Sequence, residues 1–247
     1  MKQVAVLTGG SRGIGSAIVA RLLESGYDCL VIGLSDPGVA GADFVRTDLS
    51  DPDDTARTAA YLRELGSGNR PVSLLVNNAG GGMPSRLADA DSAHITHDLV
   101  LNLTAPILLT SAVLPGMCEA GAGAIINVAS TAGRTGVAFL HTYSAAKAGL
   151  IAFTQSLAAE CAPYGIRAYC VCPGAVATNS ARAGRAELSR LHGMEPDTYE
   201  DVMAQRTGLG RLVQPDEVAE IVQWLAIHGG PAISGQTLNI CGTLTMG

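Results

Sequence analysis

The 247-residue chain predicts an α/β domain, one parallel sheet doubly wound with helices on both faces. Three observations carry this. Short apolar runs alternate with longer amphipathic ones from end to end, the pattern of strands joined by crossover helices. The first run leads into a glycine-rich loop, Thr8-Gly9-Gly10-Ser11-Arg12-Gly13-Ile14-Gly15, and a helical pattern follows it. Composition allows a large core: 47% apolar and 15% charged residues exclude a disordered chain. A chain of this length buries about three quarters of its unfolded surface.

The elements follow in order. Residues 3–7 read as the first strand and 13–25 as the first helix, with glycines allowing the tight turn between them. A strand at 28–34 comes next. Only residues 36–42 lead to strand 43–46, whereas a crossover between parallel strands normally needs about a dozen. This edge of the sheet is therefore expected to be trimmed. Helix 53–65 returns to strand 72–77, and a long helix over 98–119 leads to strand 124–130. A helix over 142–163 precedes strand 166–171, and residues 179–206 read as two short helices outside the sheet pattern. Helix 215–228 begins with Pro215, whose missing N–H costs nothing in a first turn. Strand 236–240 is the seventh. No repeat or linker marks a second domain, so 1–247 reads as one unit in which 179–210 covers the substrate.

The chemistry is carried by Tyr143-Ser144-Ala145-Ala146-Lys147. On a helix, residues four apart share a face, so an ammonium can sit beside a phenol. At about 4 Å and an effective dielectric of about 20, two unit charges attract by roughly 4 kcal/mol. That is about three pKa units, enough to turn a weak base into a usable one. Ser130 ends the apolar run before this helix. A nucleotide-type loop with this trio points to redox chemistry on a carbonyl or alcohol.

Thr8-Gly9-x3-Gly13-x-Gly15, Asp48, Asn77-Asn78-Ala79-Gly80, Asn102, Ser130, Tyr143-x3-Lys147, Pro173-Gly174 and Thr178 occur in the order of one family. By these residues the chain resembles the short-chain dehydrogenase/reductases along nearly its whole length. The resemblance implies a single-domain Rossmann fold with a seven-stranded parallel sheet. It implies Tyr143 as general acid/base, Lys147 lowering its pKa and binding the nicotinamide ribose, and Ser130 orienting the substrate oxygen. Asn102 would kink its helix and hold a proton-relaying water. For the cofactor it implies Gly9, Ser11, Arg12, Gly13, Ile14 and Gly15 at the pyrophosphate, Asp48 and Leu49 at the adenine, and Asn78, Ala79 and Gly80 along the dinucleotide. Pro173, Gly174, Val176 and Thr178 would hold the nicotinamide, with Tyr143 and Lys147.

The end of the second strand bears on NADP against NAD. The position where NAD enzymes place a carboxylate falls on Gly33, with Leu34 next, and neither is acidic. Arg12 could pair with a 2′-phosphate and Ser35 could donate to it. NADP is therefore favoured. Asp36, reaching the ribose from a shifted loop, would favour NAD instead.

Met83, Phe139 and His141 are placed in the substrate pocket, with Pro84, Leu140 and Met194 as further walls, which suits a medium-sized, mostly apolar carbonyl compound. His94, His97, His192 and His228 read as helix-surface residues. Stretches 127–147, 210–220 and 238–242 resemble the ketoreductases of aromatic polyketide synthesis and the 3-oxoacyl-thioester reductases. Arg182, Arg185, Arg190 and Arg206 could then meet a phosphopantetheine or carrier protein, although a solvated helix face is the commoner fate of any one. The same framework serves dehydrogenases of sugars, polyols, hydroxy acids and cyclic alcohols. A non-catalytic nucleotide sensor or scaffold is the reading from another class; such relatives typically lose the Tyr or the Lys, and both are present here.

A formal charge of −6 gives no basic footprint for nucleic acid. The apolar stretch 100–117 is broken by Asn102, Thr104, Pro106, Thr110 and Ser111, so no clean membrane span is expected. The N-terminus runs straight into a strand, so a cytoplasmic protein is expected. Six scattered cysteines lack CxxC or zinc-ligand spacing, and they read as buried apolar side chains, with no metal. Apolar residues around more than one face of the helices 98–119 and 142–163 point to a homotetramer, or at least a dimer.

Overall fold

The computed structural model describes residues 3–66 and 71–246. Its strands are β1 (Val4–Thr8), β2 (Asp28–Gly33), β3 (Ala42–Arg46), β4 (Val72–Asn77), β5 (Gly123–Val128), β6 (Ile166–Pro173) and β7 (Thr237–Ile240). They form one seven-stranded sheet in the order β3-β2-β1-β4-β5-β6-β7, and every pairing is parallel. The helices are α1 (Gly13–Glu24), α2 (Pro52–Gly66), α3 (Ser92–Leu99), α4 (Ala105–Ala120), α5 (His141–Cys161), α6 (Asn179–His192), α7 (Pro196–Gln205) and α8 (Pro215–His228). This is the doubly wound, Rossmann-like architecture expected. The strand order reverses between β1 and β4, where such sheets open a ligand crevice at their C-terminal ends.

The central strands are buried on both faces, and the pleat sends alternate residues to opposite cores. Ala5, Leu7, Val31 and Val76 pack with Ile18 and Leu22 of α1 and Val218 and Val222 of α8. Val6, Ile32, Leu75 and Ile125 meet Leu62 of α2, Leu109 and Met117 of α4 and Leu157 of α5. The trimmed edge is as the sequence implies. β2 pairs with β3 from Cys29↔Ala42 to Gly33↔Arg46, and the connecting loop has no helix. Asp36 Oδ1 accepts the Gly38 N–H at 2.8 Å within it, a local turn of the kind Asp favours.

The long helix differs from expectation in two ways. It begins at Ser92, because Asp91 Oδ1 caps it by accepting from His94 N at 2.8 Å; the polar first turn hid that start. Between α3 and α4 the backbone is π-helical over Val100–Thr104. Asn102 Nδ2 donates to the Asp98 carbonyl one turn back, at 2.9 Å. The side chain thus takes an acceptor that the regular backbone ladder would use, which opens the turn. The whole run Ser92–Ala120 is long and apolar enough to cross a bilayer by length and composition, although the broken apolar pattern had argued against this. Here it forms part of the layer that covers the sheet.

Candidate active site

Chain segments leaving β4, β5 and β6 bring the candidate catalytic residues together. Lys147, in α5, is buried, and its ammonium donates to the Val128 carbonyl at the end of β5, at 2.9 Å. Its Nζ lies 5.7 Å from the centre of the Tyr143 ring. Glycines let the segment after β4 press against these groups. A Cβ on Gly80 would stand 2.7 Å from Asn102 Oδ1 and 3.0 Å from Lys147 Nζ, and one on Gly82 would stand 2.7 Å from Tyr143 Cβ. Only a residue without a side chain fits at either place.

The electrostatics correct one expectation. Burial, the largest influence on the Tyr143 phenol, pushes its pKa above the ordinary tyrosine value. Ser130 opposes that rise, while Cys172 and Asp98 add to it. Burial also draws Lys147 down to about 8. Lys147 is not what sets the phenol: its ammonium is bonded to Val128, and desolvation outweighs the attraction inferred from the four-residue spacing. The phenol holds its proton at neutral pH.

Asn102 interrupts its helix as expected, within the π turn. Its Nδ2 donates to both the Gly81 and Asp98 carbonyls, at 2.8 and 2.9 Å, and its Oδ1 accepts from Gly81 N at 3.1 Å. An amide has two N–H groups, and both are engaged by protein. Its side chain pins the glycine segment 80–82 to the π turn.

The glycine loop is built to approach a phosphate. A Cβ on Gly15 would lie 1.8 Å from the Gly9 carbonyl oxygen, and Gly9 and Gly13 have φ of 71° and 56°, the left-handed region that favours glycine. The first turn of α1 carries no acidic residue, and no side chain caps it, so its N–H groups face the loop. Thr178 packs on Gly13, where a Cβ would meet its Cγ2 at 3.1 Å, and a cavity of about 230 Å³ lined by Arg12, Gly13, Thr178 and Ser180 lies between them. Ser11 and Ile14 are half-buried in the same loop. These features fit a dinucleotide pyrophosphate.

Asn78 is placed to support the end of the first strand and its loop. Its Nδ2 donates to the Thr8 and Gly9 carbonyls at 3.0 and 2.9 Å, while Thr8 Oγ1 accepts from Asn78 N and Ala79 N. Its side chain braces the loop from behind. Asp48 is held as an ionised acceptor, its pKa lowered by hydrogen bonds from Ser50, beside buried Leu49. That suits the amino group of adenine. Gly174 N donates to Ile240 O, and Val176 bridges Val213, which fixes the turn after Pro173. Ser35 and Leu34 are exposed at the trimmed edge.

The residues expected to meet substrate lie on two loops beside the α6–α7 segment. Ser85 N donates to the Phe139 carbonyl at 3.0 Å, and Ser85 Oγ lies 3.5 Å from His141 Nε2. Phe139 has φ of 68°, unusual for a side-chain-bearing residue. Its ring meets His192 of α6 edge-on at 5.0 Å, and His192 stacks on Tyr199 of α7 at 5.8 Å. His192 is exposed, as expected of a helix-surface residue, and also makes this aromatic contact. Arg185 is also spoken for: its guanidinium donates to Glu200 Oε1 at 2.9 Å and to the Val176 carbonyl at 3.0 Å. Met83 and Met194 are exposed at the rim.

Sequence reading missed Asp98. It is buried, with Thr142 Oγ1 donating to its Oδ2 at 2.5 Å, and His94 and His97 beside it at 3.5 and 3.6 Å. His97 is exposed, as expected of a helix-surface residue, whereas His94 is half-buried. A carboxylate at an otherwise apolar helix position was the available signal.

A family model for short chain dehydrogenases matches residues 3–189. A Streptomyces coelicolor protein that provisionally carries the name of a ketoacyl reductase is 38% identical, covering 98% of this chain and 97% of its own length. The cis-4-hydroxycyclohexanecarboxylate dehydrogenase of Sinomonas cyclohexanicum is 36% identical, with 99% and 97% covered. Among solved structures, a variant of the actinorhodin polyketide ketoreductase with NADPH superposes with a TM-score of 0.89 at 34% identity, covering 98% of this chain and 97% of that one.

Proposed function

The chain belongs to the short-chain dehydrogenase/reductase family, and on that premise we propose that it is an NADPH-dependent ketoreductase of a medium-sized, largely apolar or thioester-linked 3-oxo substrate. The observation that carries the reading is the half-buried Tyr143 with Ser130 hydrogen-bonded to its phenol and the buried Lys147 ammonium 5.7 Å from its ring. A phenol that keeps its proton is an acid in waiting, which suits reduction of a carbonyl. When bound, the nicotinamide supplies the hydride. Tyr143 gives its proton to the developing alkoxide, and Ser130 donates to the same oxygen and aims it. Lys147, whose pKa near 8 leaves it a proton to give, serves to return one to the phenolate left behind. Asn102 holds the glycine segment that backs Tyr143 and Lys147. Segment 179–210, with Phe139, His141 and Met83, covers the substrate.

Three observations support NADPH. Gly33 and Leu34 carry no carboxylate, Asp36 is engaged by Gly38, and exposed Arg12 stands at the loop mouth. The solved relative with NADPH agrees in class. Pairing of Arg185 with Glu200 and of Arg190 with Glu187 leaves Arg182 and Arg206, among the arginines considered, to meet a carrier or phosphopantetheine. A cytoplasmic location fits six free thiols. The second reading, an NAD-dependent dehydrogenase of a cyclic alcohol, is favoured by the Sinomonas relative. Dinucleotide absorbance followed against a panel of 3-oxoacyl thioesters, cyclic ketones and cyclic alcohols separates them. The expected result is turnover of a 3-oxo compound with NADPH well ahead of NADH. Turnover confined to alcohols with NAD would replace this reading with the second.

A further inference from the structure

Asp98 is a buried carboxylate that the reaction as described does not use, and it touches both halves of the site. Its carbonyl holds Asn102 Nδ2 at 2.9 Å. Its carboxylate holds Thr142 Oγ1 at 2.5 Å, and Thr142 precedes Tyr143 in the first turn of α5. The N-cap residue Leu140 offers that turn no side-chain bond, and His141 Nδ1 accepts from Thr142 N at 3.0 Å. The remaining faces of the carboxylate meet His94 Nε2 at 3.5 Å and His97 Nδ1 at 3.6 Å, both from its own helix. A carboxylate is expensive to bury unless its oxygens are bonded, and this one is enclosed to 3% exposure.

We propose that Asp98 is a positioning residue: it clamps the first turn of α5, and Tyr143 with it, to the π turn that carries Asn102. This inference rests on Tyr143 being the proton donor. The groups that face Tyr143 are Ser130 after β5, Cys172 of β6, Lys147 of its own helix and Asp98 across from α3. Among them Asp98 brings a negative charge, which favours the protonated phenol. It therefore acts through a hydrogen bond that sets geometry, and its charge adds to the effect of burial on the phenol.

The test compares Asp98→Ala, Asp98→Asn and Thr142→Val in the full chain, using the best ketone of the panel. Asn can still accept from Thr142 but carries no charge; Val at 142 removes the bond and leaves the charge. Reduction needs a protonated phenol, so its rate falls as pH rises through the phenol pKa, and losing a nearby negative charge moves that fall to lower pH. The expected result is a loss of about tenfold to a hundredfold in kcat for Asp98→Ala and Thr142→Val, as for ångström-scale misplacement of a reacting group. The KM for NADPH should stay within about twofold, since the glycine loop is untouched. Asp98→Asn should recover most of kcat while its high-pH limb moves to lower pH. Loss of less than half the kcat in Asp98→Ala, or an unmoved limb in Asp98→Asn, overturns the proposal. So does an equal loss in all three that follows thermal stability. If instead Tyr143→Phe keeps its activity, the underlying reading fails, and that outcome is separate.

Discussion

At the residue scale, the catalytic trio was legible because its chemistry is tied to residue type and spacing: few patterns other than Tyr143-x3-Lys147 place a phenol and an ammonium on one helix face. What spacing does not carry is desolvation. Burial pushes Tyr143 up and draws Lys147 down to about 8, because a charge is costly where water is excluded. Asn102, Asn78 and Asp98 show the same limit: their partners are backbone carbonyls and a hydroxyl on distant elements. One cofactor prediction belongs here. Arg12 is exposed at the start of α1 and has no side-chain capping duty, so Arg12→Ala should leave the fold intact. It should weaken NADPH by about tenfold, the worth of one charge-assisted bond to a 2′-phosphate, and change NADH little. Titrating both dinucleotides by fluorescence reads this directly. Equal loss for both would place Arg12 at the pyrophosphate instead.

At the element scale, strands and most helices were visible as periodicity, and their limits came out close to those expected. β6 runs on to Pro173, and α2 begins at Pro52, differences of one or two residues where periodicity gives no edge. The trimmed β2–β3 connection could be read from its length alone. The π turn could not, because it arises from the Asn102 amide competing for the Asp98 carbonyl. The two short helices α6 and α7 were legible as elements, but their attachment was not. Arg185 ties them to the turn after β6 through Glu200 and Val176, and Phe139, His192 and Tyr199 close the other side. These contacts depend on tertiary placement of side chains that look solvent-facing in sequence.

At the scale of the whole molecule, the helices flanking the site leave apolar surface uncovered. Ala145, Ala148 and Ala152 of α5 are exposed, as is Leu108 of α4, and only 39% of the most apolar window of Ser92–Ala120 is buried. Small side chains on a helix allow close approach of a second helix, and a soluble chain rarely leaves such a patch open to water. The account therefore expects a homotetramer assembled on α4 and α5. Light scattering at micromolar concentration should give about four chain masses, and a clean monomer would contradict it. The central claim, that this surface and sheet exist to hold one protonated phenol over a carbonyl, is tested most directly by Tyr143→Phe. Single-turnover and steady-state reduction with NADPH should fall by at least about a thousandfold, within the range ascribed to a positioned general acid and its electrostatic partners, while NADPH binding by fluorescence stays within about twofold. A variant that keeps a tenth or more of the wild-type kcat would contradict the account.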